Sequence, residues 1–499
     1  MTVFPQSLLD ALRAAPDTPV LEHGSRTVTR GAWLDLIRRL AGALRRAGLG
    51  PGDGLAIRTA VTPEAFAAHL AAHAVGCRVV GVRPGYPPAQ LAHVLGTGVS
   101  AYLVDEPAAS GLPTLSLGPV PGAADLLAAP DEGEPLVVTA RPDDVAALHF
   151  TSGSTGRPKG CAVTYAALSR HWAWQPAAWS RAAHEFAGRF ERYLLFGTLA
   201  SMVVLEHVAP CLLGGGVAVI PEDDGRPMFP YAIERHRITG SIITVPRLGA
   251  MLDLLKAEPV DVSSLRALMV SGSPIGPARL AEAVDRLGPV VYQGYGQTEA
   301  GSIAMLTPGD LARLGPGVLA STGRPHEGVE VSVRDAAGRL VAPGLTGEIH
   351  VRSPYQMAGY WDADEESPIR DGWLNTRDLG RMDDAGFLHL SGRSRDVIMV
   401  NAMVVYAGPI ERVLAGHPDV LEAYVAGAPD ERTGEAVHAF VVPAPGREPD
   451  RAALRELVLA ELGQDAVPRT ITPVPGVPVT DGGKPDKRAL LGRLAPDAL

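Results

Sequence analysis

Leu148-His-Phe-Thr-Ser-Gly-Ser-Thr-Gly-Arg-Pro-Lys-Gly160 is the stretch from which the rest of the chain is read. The apolar run 145–150 predicts a strand, and it empties into Thr151, Ser152, Gly153, Ser154, Thr155 and Gly156. Glycines let successive backbone N–H groups turn toward an anion, and the hydroxyls add further donors. Lys159 places a cation beside them. A flexible linker would need neither the strand before nor the Arg-Pro-Lys-Gly after. The loop is not of the Walker type, because its lysine comes too late and no Ser or Thr follows it.

Outward from this loop, the first hundred residues alternate helix and strand. Residues 33–49 have helical periodicity and stop at Gly50. A strand at 54–60 precedes Thr62-Pro63-Glu64, which reads as an N-cap, a first-turn proline and a first-turn acid opening a helix to Gly76. A strand at 77–82, a helix at 88–95 and a strand at 101–105 continue the rhythm. The pattern predicts an α/β fold with a largely parallel sheet covered by helices. Residues 106–142 are rich in Pro, Gly and Asp and read as softer structure. Past residue 320, runs at 329–333, 347–351 and 387–391 alternate like antiparallel strands and predict a small β-barrel-like subdomain. The last hundred residues read as a small α+β unit, with helices at 410–415 and 451–462 and strands at 423–427 and 438–443.

Composition narrows the function. The chain has 499 residues, 46% hydrophobic, with a formal net charge of −10. It should hold several packed units. The acidic balance and the lack of a basic run argue against nucleic acid as a partner. The most apolar segment, 208–220, is short and carries glycines, so it does not span a membrane. Cys77, Cys161 and Cys211 are scattered and form no disulfide framework, and the N-terminus has no secretory pattern, so a cytoplasmic protein is expected. Of 45 basic residues only four are lysine: Lys159, Lys256, Lys484 and Lys487. Lysine and arginine are not interchangeable, so the retained lysines bear watching.

Five more segments follow the loop in order: Tyr292-Gln-Gly-Tyr-Gly-Gln-Thr-Glu-Ala300, Thr346-Gly-Glu-Ile-His-Val-Arg352, Gly372-Trp-Leu-Asn-Thr-Arg-Asp-Leu-Gly380, Ser391-Gly-Arg-Ser-Arg-Asp396 and Asp481-Gly-Gly-Lys-Pro-Asp-Lys487. Together with the loop they resemble the motifs of the adenylate-forming superfamily, which holds acyl-CoA synthetases, adenylation domains of nonribosomal peptide synthetases, and luciferases. The resemblance implies a large N-terminal domain, 1–393, and a mobile C-terminal domain, 394–499, carrying the catalytic lysine. It implies ATP and Mg²⁺, an acyl-AMP intermediate and released pyrophosphate. Thr151, Ser152, Gly153, Ser154, Thr155, Gly156 and Lys159 would hold the β and γ phosphates. Thr298 would touch the α-phosphate and Glu299 would hold Mg²⁺. Tyr295 would pack on adenine beside Gly294, Asp378 would bind the ribose hydroxyls, and Arg393 would lie near ribose and phosphate. Lys484 would bridge acid and α-phosphate, with Arg395 as the pivot of domain rotation.

The chain also departs from the superfamily. Arg377 replaces a usual glycine, Met399 stands where many relatives have Lys, and Ala402 replaces the glycine beside the pantetheine arm. A methyl at 402 narrows a thiol tunnel and weighs against CoA. The acid pocket also reads as rebuilt: its gate falls at Ala200, with Val245, Gly272 and Gln297 as further lining. His207, beside Glu206, reads as a structural histidine more readily than a general base. Three outcomes follow: transfer of the acyl group to a CoA or carrier-protein thiol, the superfamily's default; a nitrogen acceptor, as in an amide-bond synthetase or a diazotase activating nitrite toward an aryl amine; and a noncatalytic binder of AMP-like ligands. Retention of Lys159 and Lys484 in a lysine-poor chain argues against the last.

Overall fold

A computed structural model describes residues 2–151, 158–273, 275–361, 367–393, 397–400, 403–430, 433–480 and 484–494. Ser152, Gly153, Ser154, Thr155, Gly156, Arg395 and Ala402 lie outside the described residues.

Four sheets organise the chain. An eight-stranded sheet carries the opening motif: Val145–Thr151 runs parallel to Arg78–Gly81 and antiparallel to Lys159–Thr164. Gly54–Arg58 and Val99–Val104 extend it in parallel. The connecting helices form where their caps specify. Thr62 accepts the Ala65 N–H at 3.0 Å, Pro63 opens the helix Pro63–Ala74, and Glu64 lies in its first turn. The stretch 106–142 adds two short parallel strands, Thr114–Ser116 and Ala124–Asp125.

A nine-stranded sheet forms the second layer, with Val291–Gln297 paired to Ala267–Ser271 and Gly301–Leu306. The N-terminal strand Pro19–His23 joins its far side by pairing with Val217–Ile220. One apolar cluster, including Trp33, Phe66, Phe186 and Tyr292, fills the space between these layers and their helices. A third sheet is antiparallel and five-stranded, built on Gly347–Arg352, Trp373–Met382 and Leu388–Arg393.

The C-terminal unit has its own core of Ile398, Ile410, Val425, Val441, Leu454 and Ile471, over a sheet of Val420–Asp430 and Gly434–Pro443. It docks on the rest through Arg412, which donates to the Ser391 carbonyl at 2.6 Å, and through Arg279, which reaches Glu422 at 3.3 Å. Among the described residues, no helix is long and apolar enough to cross a membrane. Cys77, Cys161 and Cys211 are all buried free thiols.

Candidate active site

Register places the two ends of the opening loop side by side: Thr151 pairs with Lys159. On the other edge of Lys159–Thr164 lies Gly359–Trp361, with Tyr360 opposite Cys161. The Lys159 ammonium is 5.3 Å from the centre of the Tyr360 ring. The Tyr360 hydroxyl donates to Glu299 Oε1 at 3.0 Å, and the Glu299 carbonyl accepts the Met357 N–H. Contacts with the strand Gly359–Trp361 and the preceding Met357 thus hold Glu299 near Lys159. Half-buried Glu299 follows the hydroxyl of Thr298. Hard oxygen donors of this kind suit Mg²⁺, which is usually held by one or two carboxylates together with substrate phosphates.

Asp378 is the second fixed carboxylate. It is buried, and Oδ2 accepts from the Tyr295 hydroxyl at 2.6 Å and from Gln297 Nε2 at 2.7 Å. Arg393 Nε approaches Oδ1 at 3.1 Å, and the backbone N–H of Asp378 donates to Thr376 Oγ1. Burial and then the neighbouring Asp378 charge push the Tyr295 phenol far above its ordinary range, so it stays a donor. Gly294 lies where an added Cβ would stand 3.0 Å from Met269 Sδ. Arg377 has φ of +59°, in the left-handed region where a side chain is strained and glycine is not.

Lys484 reaches this cleft from the C-terminal unit. Its strand-like turn is held by the Thr480 N–H bond to the Lys484 carbonyl at 2.8 Å and by a bridge between Val479 and Pro485. The residue is exposed to solvent, yet protein crowds its ammonium. That desolvation, and then the charges of Arg393 and Arg83, lower its pKa against the opposing fields of Glu299 and Asp378. Arg393, Glu299 and Asp378 therefore all lie within electrostatic reach of the Lys484 ammonium. The other two lysines are tied into ion pairs, Lys256 with Asp253 and Glu282 and Lys487 with Glu411.

The expected acid pocket is brought together only in part. A cavity of about 40 Å³ has Ala200 on its wall but not Val245, Gly272, Gln297 or His207. Val245 is buried at the start of its helix, and Gly272 turns at φ of +95°. Gln297 spends its amide on Asp378 and the Thr376 carbonyl, because its strand faces the third sheet there. His207 packs edge-on against Trp172 and donates from Nδ1 to the Val203 carbonyl at 2.9 Å.

The cavity holds residues the sequence reading passed over, His69, His73, His149 and His171, together with Glu206, which it named only as the neighbour of His207. Burial drives the pKa of His69 and His73 down to about 3 and that of His149 to about 4, so all three are neutral. Two of them carry a visible signal, an i, i+4 pair on one alanine-rich helix, and His149 stands inside the opening motif itself.

Known proteins fit this geometry. Residues 8–361 match the AMP-binding enzyme family, and residues 409–484 match the AMP-binding enzyme C-terminal domain. The chain is 32% identical to the medium/long-chain-fatty-acid–CoA ligase FadD8 of Mycobacterium tuberculosis, over 98% of this chain and 89% of that protein. It is 32% identical to a feruloyl-CoA synthase of an Amycolatopsis species, covering 95% of each. The solved structure of the amide bond synthetase McbA from Marinactinospora thermotolerans superposes with a TM-score of 0.85 at 36% identity, over 97% of this chain and 98% of that one. Kinship that extends from the first helix to Lys484 leaves one assignment: the chain belongs to the AMP-binding enzyme family, the adenylate-forming, AMP-producing ligases.

Proposed function

We propose that this ligase activates a small carboxylic acid with ATP and passes the acyl group to an amine. The carrying observation is the convergence of Lys484, from the C-terminal unit, with Glu299, Asp378 and Arg393 on one cleft. Adenylation crowds negative charge between a carboxylate and the α-phosphate, so positioning and fixed charges contribute most of the catalysis. Lys484 neutralises that charge in the transition state. Asp378, pre-aligned by Tyr295 and Gln297, accepts the ribose hydroxyls, and Tyr295 with Gly294 borders the base. Thr298 meets the α-phosphate. Thr151, Lys159 and the loop between them take the β and γ phosphates. Mg²⁺, when bound at Glu299, neutralises phosphate charge. A division after Arg393 into a large domain and a mobile smaller one, pivoting at Arg395, belongs to the same proposal, as does a cytoplasmic location.

The amine acceptor is supported by the likeness to an amide bond synthetase over nearly the whole chain, and by Met399 and Ala402, which depart from the thiol-transfer pattern. A thiol acceptor, CoA or a carrier protein, is the second reading, favoured by curated relatives such as FadD8 and the carrier-protein ligase ScoC of Streptomyces coeruleorubidus. The test mixes enzyme, ATP, Mg²⁺ and a panel of acids, then adds an amine or CoA. Amine-dependent AMP release with no CoA effect supports the proposal, and CoA-dependent release replaces it with the thioester reading. Turnover with nitrite in place of an acid would instead identify the diazotase variant.

A further inference from the structure

The cavity beside Ala200 draws its lining from several separate elements. Val79 and Gly81 come from one strand of the eight-stranded sheet and Ala147 and His149 from its neighbour, while His69 stands on the helix Pro63–Ala74 and Glu206 on the helix Met202–Gly214. Side chains alternate along a strand, so the face carrying Ala147 and His149 carries Thr151 next, at the mouth of the phosphate loop. Arg83 lies two residues beyond Gly81, and its charge acts on both His149 and Lys484. One strand face thus runs from the cavity wall at Ala147 and His149 to Thr151.

Its polar groups are buried and incompletely satisfied. His69 Nδ1, His149 Nδ1, His171 Nε2 and Glu206 Oε2 have no hydrogen-bond partner, and each of these residues is at least nine-tenths buried. His171 Nδ1 accepts the Ala173 N–H, which puts the ring proton on Nε2. That nitrogen stands 3.3 Å from Glu206 Oε2 without hydrogen-bond geometry. His149 reaches the Ala200 backbone and leaves Nδ1 open. Burial opposes ionisation of Glu206, but the contact with His171 outweighs it and keeps the pKa below the ordinary carboxyl value. The cavity is thus lined by apolar walls, bare acceptors and one carboxylate among neutral imidazoles. Buried polar atoms without partners are costly and are expected to be satisfied by water or a ligand. A volume of about 40 Å³ holds two or three waters, or the tip of a substrate rather than its whole body.

Building on the adenylation reading, we propose that the acid substrate carries a hydrogen-bond donor, a hydroxyl or a ring N–H, at the end remote from its carboxylate, and that Glu206, with the open His149 Nδ1 beside it, forms the acceptor site for that one proton. A hydroxyl fits best, since it donates to Glu206 Oε2 while accepting from His171 Nε2. A second carboxylate at that end fits poorly, because it has no proton to donate to Glu206 Oε2. Sites built to hydrogen-bond a substrate group reject the analogue lacking it far more strongly than apolar pockets reject a missing methylene.

The test measures ATP-dependent pyrophosphate release by the full-length enzyme with matched aryl acids, each with a terminal hydroxyl or ring N–H, without it, or with its methyl ether. The expected result is a kcat/KM preference of at least about tenfold for a donor-bearing acid over its donor-free twin. Glu206→Gln should collapse that ratio. Should this variant not fold, His149→Gln and the wild-type ratio carry the test. Equal turnover with and without the donor, or a preference for the diacid, overturns the proposal while leaving adenylation standing. Turnover of no acid overturns the adenylation reading itself.

Discussion

The Tyr295 hydroxyl lies 2.6 Å from Asp378 Oδ2, joining a strand of the nine-stranded sheet to one of the antiparallel sheet. The bond aims the carboxylate before any nucleotide arrives. Asp378→Asn should lower pyrophosphate release by about 100-fold, since it removes a charge-assisted acceptor at the proposed ribose site. Tyr295→Phe removes only the aiming hydroxyl and should cost about tenfold. Steady-state kinetics against ATP check both, and equal losses would contradict this division of roles.

Lys484 supplies the second prediction. Lys484→Ala should abolish adenylation and leave the melting temperature unchanged, because the residue is exposed. Desolvation and the charges of Arg393 and Arg83 lower its pKa. If the ammonium is the active form, the alkaline limb of the adenylation rate should fall at a pH below the ordinary lysine value of about 10.4. A pH–rate profile of pyrophosphate release reads this directly.

Arg279 and Glu422 yield the third. Arg279 is buried and keeps Glu282 at 3.0 Å when Glu422 is removed, so Glu422→Ala should fold normally. What it loses is the tie that holds the C-terminal unit where Lys484 faces the cleft. A loss of about 1 kcal/mol would slow the first half-reaction about fivefold and leave acyl transfer unslowed. Single-turnover measurement of the two steps separates them.

Buried histidines set the fourth. His69 and His73 titrate at about 3 and His149 and His326 at about 4, while unfolded histidine titrates near 6.5. Burial depresses all four. Between these values the unfolded chain binds more protons than the folded one, so stability rises with pH and is lost as pH falls. The stabilisation is fully present above about pH 6.5 and decays toward pH 4, by up to about 1.4 kcal/mol per histidine per pH unit. Denaturant melts from pH 7.5 to 4.5 should show the slope, and His69→Leu should flatten it.

Local signals carried much of the fold. Thr62 and Pro63 open their helix as their chemistry requires, and the helix Pro88–Leu95 and the helix Arg451–Leu462 have the bounds their periodicity implies. The placement of Pro19–His23 was not legible, since its partner Val217–Ile220 lies almost two hundred residues away and nothing local encodes a parallel pairing. At the site, the motif reading named Tyr295, Gln297 and Asp378, and the first two donate hydrogen bonds to the third. Tyr360 was missed because only strand pairing across some two hundred residues brings it to Lys159 and Glu299. The histidine cavity was missed for the same reason: the His69/His73 pair, His149 and His171 stand on separate segments that only the fold brings together. Arg377 was visible as a departure from the glycine pattern, and its left-handed backbone supplies the physical reason for that pattern.

The scarcity of lysine has a chemical consequence. Acyl adenylates are electrophiles that acylate amines in water, and a molecule escaping from its cleft first meets the surface of the protein that made it. Here that surface is supplied with guanidinium groups, which stay protonated and unreactive, in place of ammonium groups. Lys256 and Lys487 are held by carboxylates, and Lys159 and Lys484 belong to the cleft itself. The catalyst presents few nucleophiles to its own product, so the acceptor, thiol or amine, faces little competition from its maker.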